Sequence, residues 1–292
     1  MSTGVGGAPV SILVPTLNEG RNLRGCLETL GFSDDVVVVD SHSRDHTREI
    51  ALEMGARVVP FQWDGLGPKK KAWSLRHVEW KHPWLLVVDA DERVTPELAA
   101  AIHGAVTQAR CAGFLVSRRL RFMGRWIRHC GYYPGWTLRL FRRDGARYER
   151  LVDGDTGSGD NEVHEHVLVG GAIGKLTGDL LHHAYPDVSA FVEKHNRYSS
   201  WEAAVEVRGE RGRLPGGGAF RRRLREVSRR APFRPTLRFL YGYVLRGGFL
   251  DGYPGFALCR LLANYELWSV LKARELRREG AAGPARSRSR AG

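Results

Sequence analysis

Acidic and amide side chains follow three of the short apolar runs in the first hundred residues of this 292-residue chain. These side chains are Asn18, Glu19, Asp40, Asp45, Asp89 and Asp91. One such residue is ordinarily a turn or a helix cap, because Asp and Asn favour both. Ligands of an open parallel sheet bind outside the carboxyl ends of its strands, so three acidic ends together predict a binding site at one edge of a sheet.

The pair Asp89 and Asp91 indicates what that site binds. Two carboxylates separated by one residue on an extended segment point to the same side and offer hard oxygen ligands to Mg²⁺ or Mn²⁺. The turn after Val14 has neither of the glycine-rich patterns that cradle phosphates. The sequence thus predicts a divalent metal that neutralises a diphosphate, assisted by a lysine of the run Lys69–Lys71.

The spacing of apolar residues predicts the elements that carry these side chains. β-Branched runs alternate with stretches whose apolar residues recur every three or four positions, which is the rhythm of β-α-β units. The predicted strands are Val10–Val14, Val36–Val39, Arg57–Val59 and Trp84–Val88, and the predicted helices are Arg21–Leu30, Thr47–Met54 and Lys69–Trp80. A further helix begins after Thr95, with Pro96 at its first position. We expect an α/β fold, built as half of a doubly wound sheet.

The pattern changes beyond residue 110. Shorter strands are predicted at Gly113–Ser117 and Thr137–Phe141, and helices from Asp187 and over Phe256–Arg277. Charged residues interrupt every apolar stretch before it reaches the ~18 residues of a spanning helix. The four cysteines lack the spacing of a zinc ribbon or a redox dithiol, and the N-terminus lacks the features of a secretory signal. A cytoplasmic location is the expectation.

Basic residues are concentrated in the last third of the chain. The formal net charge is +13, and residues 208–292 hold 20 Lys and Arg against 6 Asp and Glu. The clustered arginines are Arg221, Arg222, Arg223, Arg229, Arg230 and Arg234. Such asymmetry indicates an anionic partner, either nucleic acid or an acidic membrane surface. Arginines beside an amphipathic helix are typical of proteins that lie on a membrane, although the same helix is also compatible with packing on the catalytic domain.

Several motifs together resemble one family of enzymes. They are Val14-Pro15-Thr16-Leu17-Asn18-Glu19, Val39-Asp40-Ser41, Val88-Asp89-Ala90-Asp91-Glu92, Gly131-Tyr132-Tyr133-Pro134, Arg139-Leu140-Phe141-Arg142-Arg143, Val163-His164-Glu165, His182 and Lys194-His195-Asn196-Arg197-Tyr198. The set is similar to family 2 glycosyltransferases of the GT-A fold, and to the branch that adds glucose to the inner core of lipopolysaccharide. The resemblance implies a Rossmann-like, mostly parallel central sheet with flanking helices over residues 1–186, a helical basic region over 187–279 and a disordered tail over 280–292.

The resemblance also implies roles for individual residues. The implied substrate site consists of Pro15, Thr16, Asn18, Glu19, Asp40, Ser41, Asp45, Lys69, Lys71, Asp89, Ala90, Arg139, Arg142 and His164. Within it, Glu19 and Asp40 accept hydrogen bonds from the base or ribose of a nucleotide. A metal, Mg or Mn, is bound by Asp91, Asp89 and His182. The pair of His182 and His183 is also compatible with simple packing in the core.

Sugar transfer with inversion needs a general base that deprotonates the acceptor hydroxyl. Glu165 is the first choice, and Asp160 and Glu162 compete with it because all three lie near one loop. The stretch Asp153–Asp160 before them is longer than the family pattern, and Lys69–Lys71 is more basic. The longer stretch leaves the three carboxylates as alternatives for the base, and the lysine run leaves open whether its lysines contact the diphosphate or an anionic acceptor.

The function expected from the resemblance is transfer of a hexose, glucose from UDP-glucose, to a lipid-linked saccharide such as the inner core of lipopolysaccharide. The enzyme is then peripheral on the inner face of the cytoplasmic membrane. A haloacid-dehalogenase-type phosphatase is an alternative because it also uses a D-x-D pair, although that pair normally follows the first strand. A nucleic-acid-binding module that uses the basic C-terminal region is another.

Overall fold

The structure is a computed structural model that describes residues 7–65, 67–108, 110–148, 166–208 and 233–281. Its strands are β1 (Val10–Thr16), β2 (Val36–Asp40), β3 (Arg57–Pro60), β4 (Trp84–Val87), β5 (Glu92–Val94), β6 (Gly113–Phe122), β7 (Arg125–Trp126), β8 (Thr137–Arg142), β9 (Arg147–Tyr148), β10 (Val167–Leu168) and β11 (Ile173–His182). Its helices are α1 (Gly20–Leu27), α2 (Thr47–Glu53), α3 (Lys70–His77), α4 (Pro96–Gln108), α5 (Val188–Arg208), α6 (Arg234–Leu240) and α7 (Gly252–Ala281). A π-helical turn, Tyr241–Leu245, and a 3-10 helix, Gly248–Asp251, lie between α6 and α7.

The chain divides into two compact units. The first contains the chain up to Arg121 together with Tyr132–Ala184, and the second contains Phe122–Gly131 and the chain from Tyr185 onward. The central sheet is built in the first unit, and the long helices α5 and α7 belong to the second. The short segment 122–131 therefore joins the helical unit, a feature that the sequence patterns do not indicate.

The central sheet has the strand order β3-β2-β1-β4-β8-β6-β11-β5. β1 runs parallel to both β2 and β4, and β2 runs parallel to β3. β8 is antiparallel to its neighbours β4 and β6, and β5 is antiparallel to β11. The first four strands with their intervening helices form a Rossmann-like half, so the predicted α/β class is confirmed.

Both faces of the sheet are covered, which explains the uninterrupted apolar runs of its first strands. Ile12, Val38 and Leu86 are completely buried on the face that packs against α1 and α4. The opposite face buries Phe61 and Leu85 in a second cluster. The predicted strands and helices of the first hundred residues agree with the structure to within three residues at their ends.

The ten-residue strand β11 is the main element that the sequence analysis missed. Its sequence has no apolar run, and its pairing with β6 is irregular between Lys175 and Asp179. Gly178 lies in this irregularity with φ 82°, and a Cβ there would stand 2.4 Å from the backbone nitrogen of Leu98. The strand therefore depends on a glycine and on contacts distant in sequence, which a local pattern does not reveal.

The helical unit is held together by α5 and α7. The apolar positions Leu258, Leu262 and Ala273 of α7 are buried, and the Lys272 ammonium donates to the Asn196 side-chain oxygen of α5 at 2.6 Å. Part of the amphipathic face predicted for Phe256–Arg277 thus packs within the unit, and Leu271 of that face is exposed. Among the described residues, the helices are too short or too polar to cross a membrane.

We expect Asp35 to control the stability of the first unit in acid. Burial disfavours its ionised form, but hydrogen bonds from the Ser11 hydroxyl, the Lys81 backbone N–H and the Arg57 guanidinium outweigh burial and lower its pKa. A depressed pKa contributes stability above the unfolded-state value of about 4, and that stability is lost as the pH falls through the folded-state value.

The substitution Asp35→Asn should therefore cost about 2 kcal/mol at neutral pH, and the difference from wild type should shrink below about pH 4. Urea denaturation at a series of pH values measures this, with exposed Asp144→Asn as the control. An Asp35→Asn difference that does not vary with pH would contradict the assignment.

Candidate active site

The carboxyl ends of β1, β2 and β4 lie side by side at one edge of the sheet. β1 is hydrogen-bonded in parallel to each of the other two. The register pairs Thr16 with Asp40, and the Thr16 hydroxyl donates to the Asp40 carboxylate at 2.9 Å. Asp89 follows the end of β4 by two residues. The three polar strand ends therefore meet at the edge that the sequence predicts.

Hydrogen bonds hold the loop after β1 against the loop after β2. The backbone N–H of Asn18 donates to the Ser43 hydroxyl at 2.8 Å, and the Asn18 side-chain oxygen accepts from the backbone N–H of Arg44 at 2.9 Å. Asn18 has φ 54°, a left-handed conformation that asparagine tolerates. Asp45 accepts from the backbone N–H of Gly20 at 2.9 Å. Asn18 and Asp45 thus shape the two loops.

Asp40 and Glu19 differ in what their carboxylates face. Asp40 is only 1% exposed, and its oxygens accept from Thr16, from the Ser43 hydroxyl and, at 2.8 Å, from the Ser43 backbone N–H. Glu19 is half-buried and accepts from the Asn22 amide at 2.8 Å. Asp40 therefore orders the strand ends from inside, and Glu19 lies nearer to solvent.

The start of α3 brings lysines to the same edge. The Lys70 ammonium donates to the backbone oxygen of Thr16 at 2.5 Å and is buried. The Lys71 ammonium lies 3.0 Å from the Asp89 carboxylate. Lys69, the residue before the helix, is also buried. Lys71 is thus the lysine placed against the acidic pair, and Lys70 braces the end of β1.

Arg139 of β8 lies between two carboxylates. Its Nη2 donates to Asp89 at 2.6 Å and to Glu92 at 2.8 Å, and Glu92 has no solvent exposure. Burial alone would raise the pKa of Asp89, but Arg139 and Lys71 hold that pKa well below its usual value. Burial raises the pKa of Glu92, and the opposing effect of the Arg139 charge cancels only part of this rise. Asp89 is therefore a firmly ionised group with two cationic partners.

The segment from Asp89 to Asp91 is a turn, whereas the sequence analysis expected an extended dipeptide. The backbone N–H of Glu92 donates to the backbone oxygen of Asp89 at 2.8 Å and closes this turn. The two carboxylates consequently take different partners. Asp91 lies beside His182, with Nε2 3.4 Å from its carboxylate oxygen.

His182 reaches this turn because β11 ends beside β5. The register pairs His182 with Glu92, and the backbone N–H of His183 donates to the backbone oxygen of Asp91 at 2.8 Å. His182 and Asp91 are both partly exposed, at 19% and 17% of their side chains. In the part of the chain that the structure describes, no group of three or more His, Cys, Asp or Glu side chains is arranged to hold a metal ion.

The other predicted site residues fall into two groups. Pro15 and Ser41 are half-buried at the ends of β1 and β2, Ala90 is buried in the turn, and Arg142 is exposed at the end of β8. The candidate bases and their neighbour, Asp160, Glu162, Glu165 and His164, lie outside the described residues. Their roles stay predictions.

Two residues of the site, Ser43 and Glu92, have no role predicted from the sequence. Lys70 is predicted only as one of three lysines that could assist the metal. The role of Glu92 follows from strand pairing. β8 pairs antiparallel with β4, and the register brings Arg139 close to the residues that follow β4. That pairing joins residues about fifty positions apart, so spacing alone does not reveal it. Ser43 contacts the Asp40 carboxylate and the backbone N–H of Asn18, and Lys70 donates to the backbone oxygen of Thr16. These contacts leave no signature in the sequence.

Comparison with known proteins identifies the family. The family model described as Glycosyl transferase family 2 matches residues 11–157, half of the chain. A lipopolysaccharide core biosynthesis glycosyltransferase of Rhizobium meliloti is 30% identical over 282 residues, covering 90% of this chain and 91% of the relative. The chain belongs to glycosyltransferase family 2. An uncharacterized glycosyltransferase of Rickettsia typhi is 25% identical, with 91% of this chain and 87% of the relative covered.

The fold of this family 2 glycosyltransferase agrees with a solved structure. A mannosyltransferase of Pyrobaculum calidifontis, in complex with GDP-Man and Mn²⁺, aligns with a TM-score of 0.51 and 15% identity, covering 92% of this chain and 87% of that one. The predicted GT-A fold is thereby confirmed. Family membership also decides against the phosphatase alternative.

Proposed function

We propose that this family 2 enzyme is an inverting hexosyltransferase that moves glucose from UDP-glucose to a lipid-linked saccharide such as the inner core of lipopolysaccharide. The observation that carries the proposal is the juxtaposition of Asp91 and His182, 3.4 Å apart, at the strand ends beside the ionised Asp89. The acceptor class is supported by the relative from Rhizobium meliloti, whose name assigns it to lipopolysaccharide core biosynthesis.

A divalent metal fits the residues present. One carboxylate and one imidazole, both partly exposed, leave the remaining ligand positions to diphosphate oxygens and water. When bound, the metal supplies positive charge to the leaving diphosphate. An imidazole among oxygen ligands favours Mn²⁺ over the harder Mg²⁺, and the Pyrobaculum calidifontis mannosyltransferase also holds Mn²⁺.

The residues of the chain divide the remaining work. Asp89 forms ion pairs with Lys71 and Arg139. In this proposal its carboxylate therefore accepts a hydrogen bond from a ribose hydroxyl and does not coordinate the metal. Glu19 contacts the base, while Asp40, Asn18 and Asp45 keep the loops in place. The proposed location is the inner face of the cytoplasmic membrane, where a lipid-linked acceptor is presented.

The proposed general base, Glu165, is tested by its amide. Because glutamine cannot take up the proton of the acceptor hydroxyl, Glu165→Gln should transfer sugar at least ~100-fold more slowly. Its affinity for the donor should stay within about twofold of wild type. Release of UDP from UDP-glucose, with lipopolysaccharide from a core-deficient strain as acceptor, measures the rate, and UDP-galactose and GDP-mannose serve as donor controls. Unchanged turnover would move the role to Asp160 or Glu162, and absence of UDP release from wild type with every donor would reject the proposed function.

A further inference from the structure

The last range that the structure describes, residues 233–281, carries many exposed apolar side chains at its beginning. Ten of the twenty large apolar side chains that are exposed among the described residues lie between Phe233 and Phe256. The six most exposed are Leu245 at 77%, Phe233 at 70%, Tyr253 at 69%, Leu250 at 55%, Val244 at 52% and Phe249 at 51%. We call residues 233–256 the aromatic surface. A concentration of this kind marks an interaction site.

Five of the seven aromatic rings of this surface form one connected group. Tyr243 contacts Phe249 and Phe256 with ring centroids 6.2 and 5.7 Å apart, and stacks on Phe239 at 5.1 Å. Tyr253 lies 6.4 Å from Phe256. The exposed rings of Phe249, Tyr253 and Phe256 are therefore neighbours in space.

The local backbone explains why these side chains point outward. The buried positions are Asp251 and the three glycines Gly242, Gly248 and Gly255, and a Cβ on Gly255 would stand 2.1 Å from the backbone oxygen of Gly248. The π-helical turn, the 3-10 helix and the start of α7 thus pack backbone against backbone. Small residues occupy the inside and large apolar residues the outside, which reverses the usual arrangement of a water-facing segment.

The exposed charges on and beside this surface have one sign. Residues 233–260 contain four arginines and one acidic residue, Asp251. Asp251 is 2% exposed, and its carboxylate accepts from the backbone N–H of His129 at 2.8 Å. Arg246 and Arg260 are exposed. Solvent therefore meets aromatic rings, aliphatic side chains and arginines, with the segment's only carboxylate turned inward.

We infer that the aromatic surface inserts into the headgroup region of an anionic lipid bilayer. Tyrosine and phenylalanine beside arginine suit that region, where apolar rings enter the acyl boundary and cations meet lipid phosphates. The inference rests on the proposed function only in that a lipid-linked acceptor gives the attachment its purpose. It moves the main membrane contact from the helix Phe256–Arg277, whose Leu258 and Leu262 are buried, to the segment that ends at Phe256.

Flotation of the full chain with lipid vesicles tests the inference. Wild type should bind vesicles of 70% phosphatidylcholine and 30% phosphatidylglycerol roughly tenfold more tightly than pure phosphatidylcholine, and ~0.5 M salt should weaken the binding. Leu245→Ser with Phe249→Ser should reduce the partition coefficient at least ~100-fold, because two apolar side chains no longer leave water. Arg246→Glu should reduce it roughly tenfold on the anionic vesicles alone.

A matched pair of variants controls for loss of exposed apolar area. Leu52 and Ile173 are 63% and 50% exposed in the first unit, and Leu52→Ser with Ile173→Ser should bind vesicles within about twofold of wild type. All variants should bind UDP as wild type does, which separates this test from that of the proposed function. The inference is overturned if Leu245→Ser with Phe249→Ser floats like wild type, or if those substitutions instead dissociate a dimer seen by light scattering.

Discussion

Replacement of Asp91 by alanine should remove the metal-dependent part of UDP binding. Asp91 is the partly exposed carboxylate that lies beside His182, with Nε2 3.4 Å from its oxygen. We expect the affinity for UDP in the presence of Mn²⁺ to fall at least ~100-fold, because even residues that only support metal ligands cost 10- to 100-fold when changed. Isothermal titration calorimetry measures this directly.

Two neighbouring histidines provide the matched control for this site. His182→Ala should weaken Mn²⁺-dependent UDP binding at least ~10-fold. His183→Ala should leave it within about twofold, because the contact of His183 with Asp91 is made by its backbone N–H and survives the substitution. Exposed Asp144→Ala controls for the loss of a carboxylate from the same unit. Equal losses in His182→Ala and His183→Ala would indicate a general disturbance of the turn.

Replacement of Arg139 by methionine should destabilise the first unit by about 3–5 kcal/mol. Methionine fills much of the same space, so the main loss is electrostatic. Glu92, which is fully buried, and Asp89 would be left without the guanidinium that joins them. A buried carboxylate without its partner still carries its desolvation penalty, and the ion pair that offset this penalty is lost.

Arg142 gives the control for Arg139, because it lies on the same strand and is exposed. Arg142→Met should change the free energy of unfolding by less than about 0.5 kcal/mol. Adding Glu92→Gln to Arg139→Met should recover part of the loss, since a neutral amide needs no counterion. Urea denaturation followed by tryptophan fluorescence measures all four proteins. A loss below about 1 kcal/mol for Arg139→Met would show that the buried pair does not stabilise the site.

The sequence was sufficient for the half of the fold that precedes residue 110, apart from the short strand β5. There, buried strands are continuous apolar runs, and the helices between them keep a period of three to four, so local patterns carry the information. The carboxyl ends of parallel strands lie at one edge of a sheet. Thr16, Asp40 and Asp89 therefore lie at the same edge, as the sequence predicts. Residues after position 110 depend on strands that pair across long separations, and β11 in particular has no local signature.

The candidate site divides in the same way. The residue types at the strand ends were predictable, because Asp, Asn and Glu at those positions are legible in the sequence. Their partners were not. Asp89 was expected to share a metal with Asp91. Because of the turn at residues 89–91 and the register of β8, its carboxylate instead forms ion pairs with Arg139 and Lys71. To predict these partners of Asp89, one must know which strand lies beside β4. The patterns of a single sequence do not contain that information.

The central claim is that a divalent ion at the end of β4 holds the diphosphate of a nucleotide. Titration of UDP into the wild-type chain, once with Mn²⁺ and once with a chelator, tests it most directly. We predict saturable binding with Mn²⁺ and binding at least ~100-fold weaker with the chelator. Equal affinity under both conditions, or no binding under either, would contradict the claim.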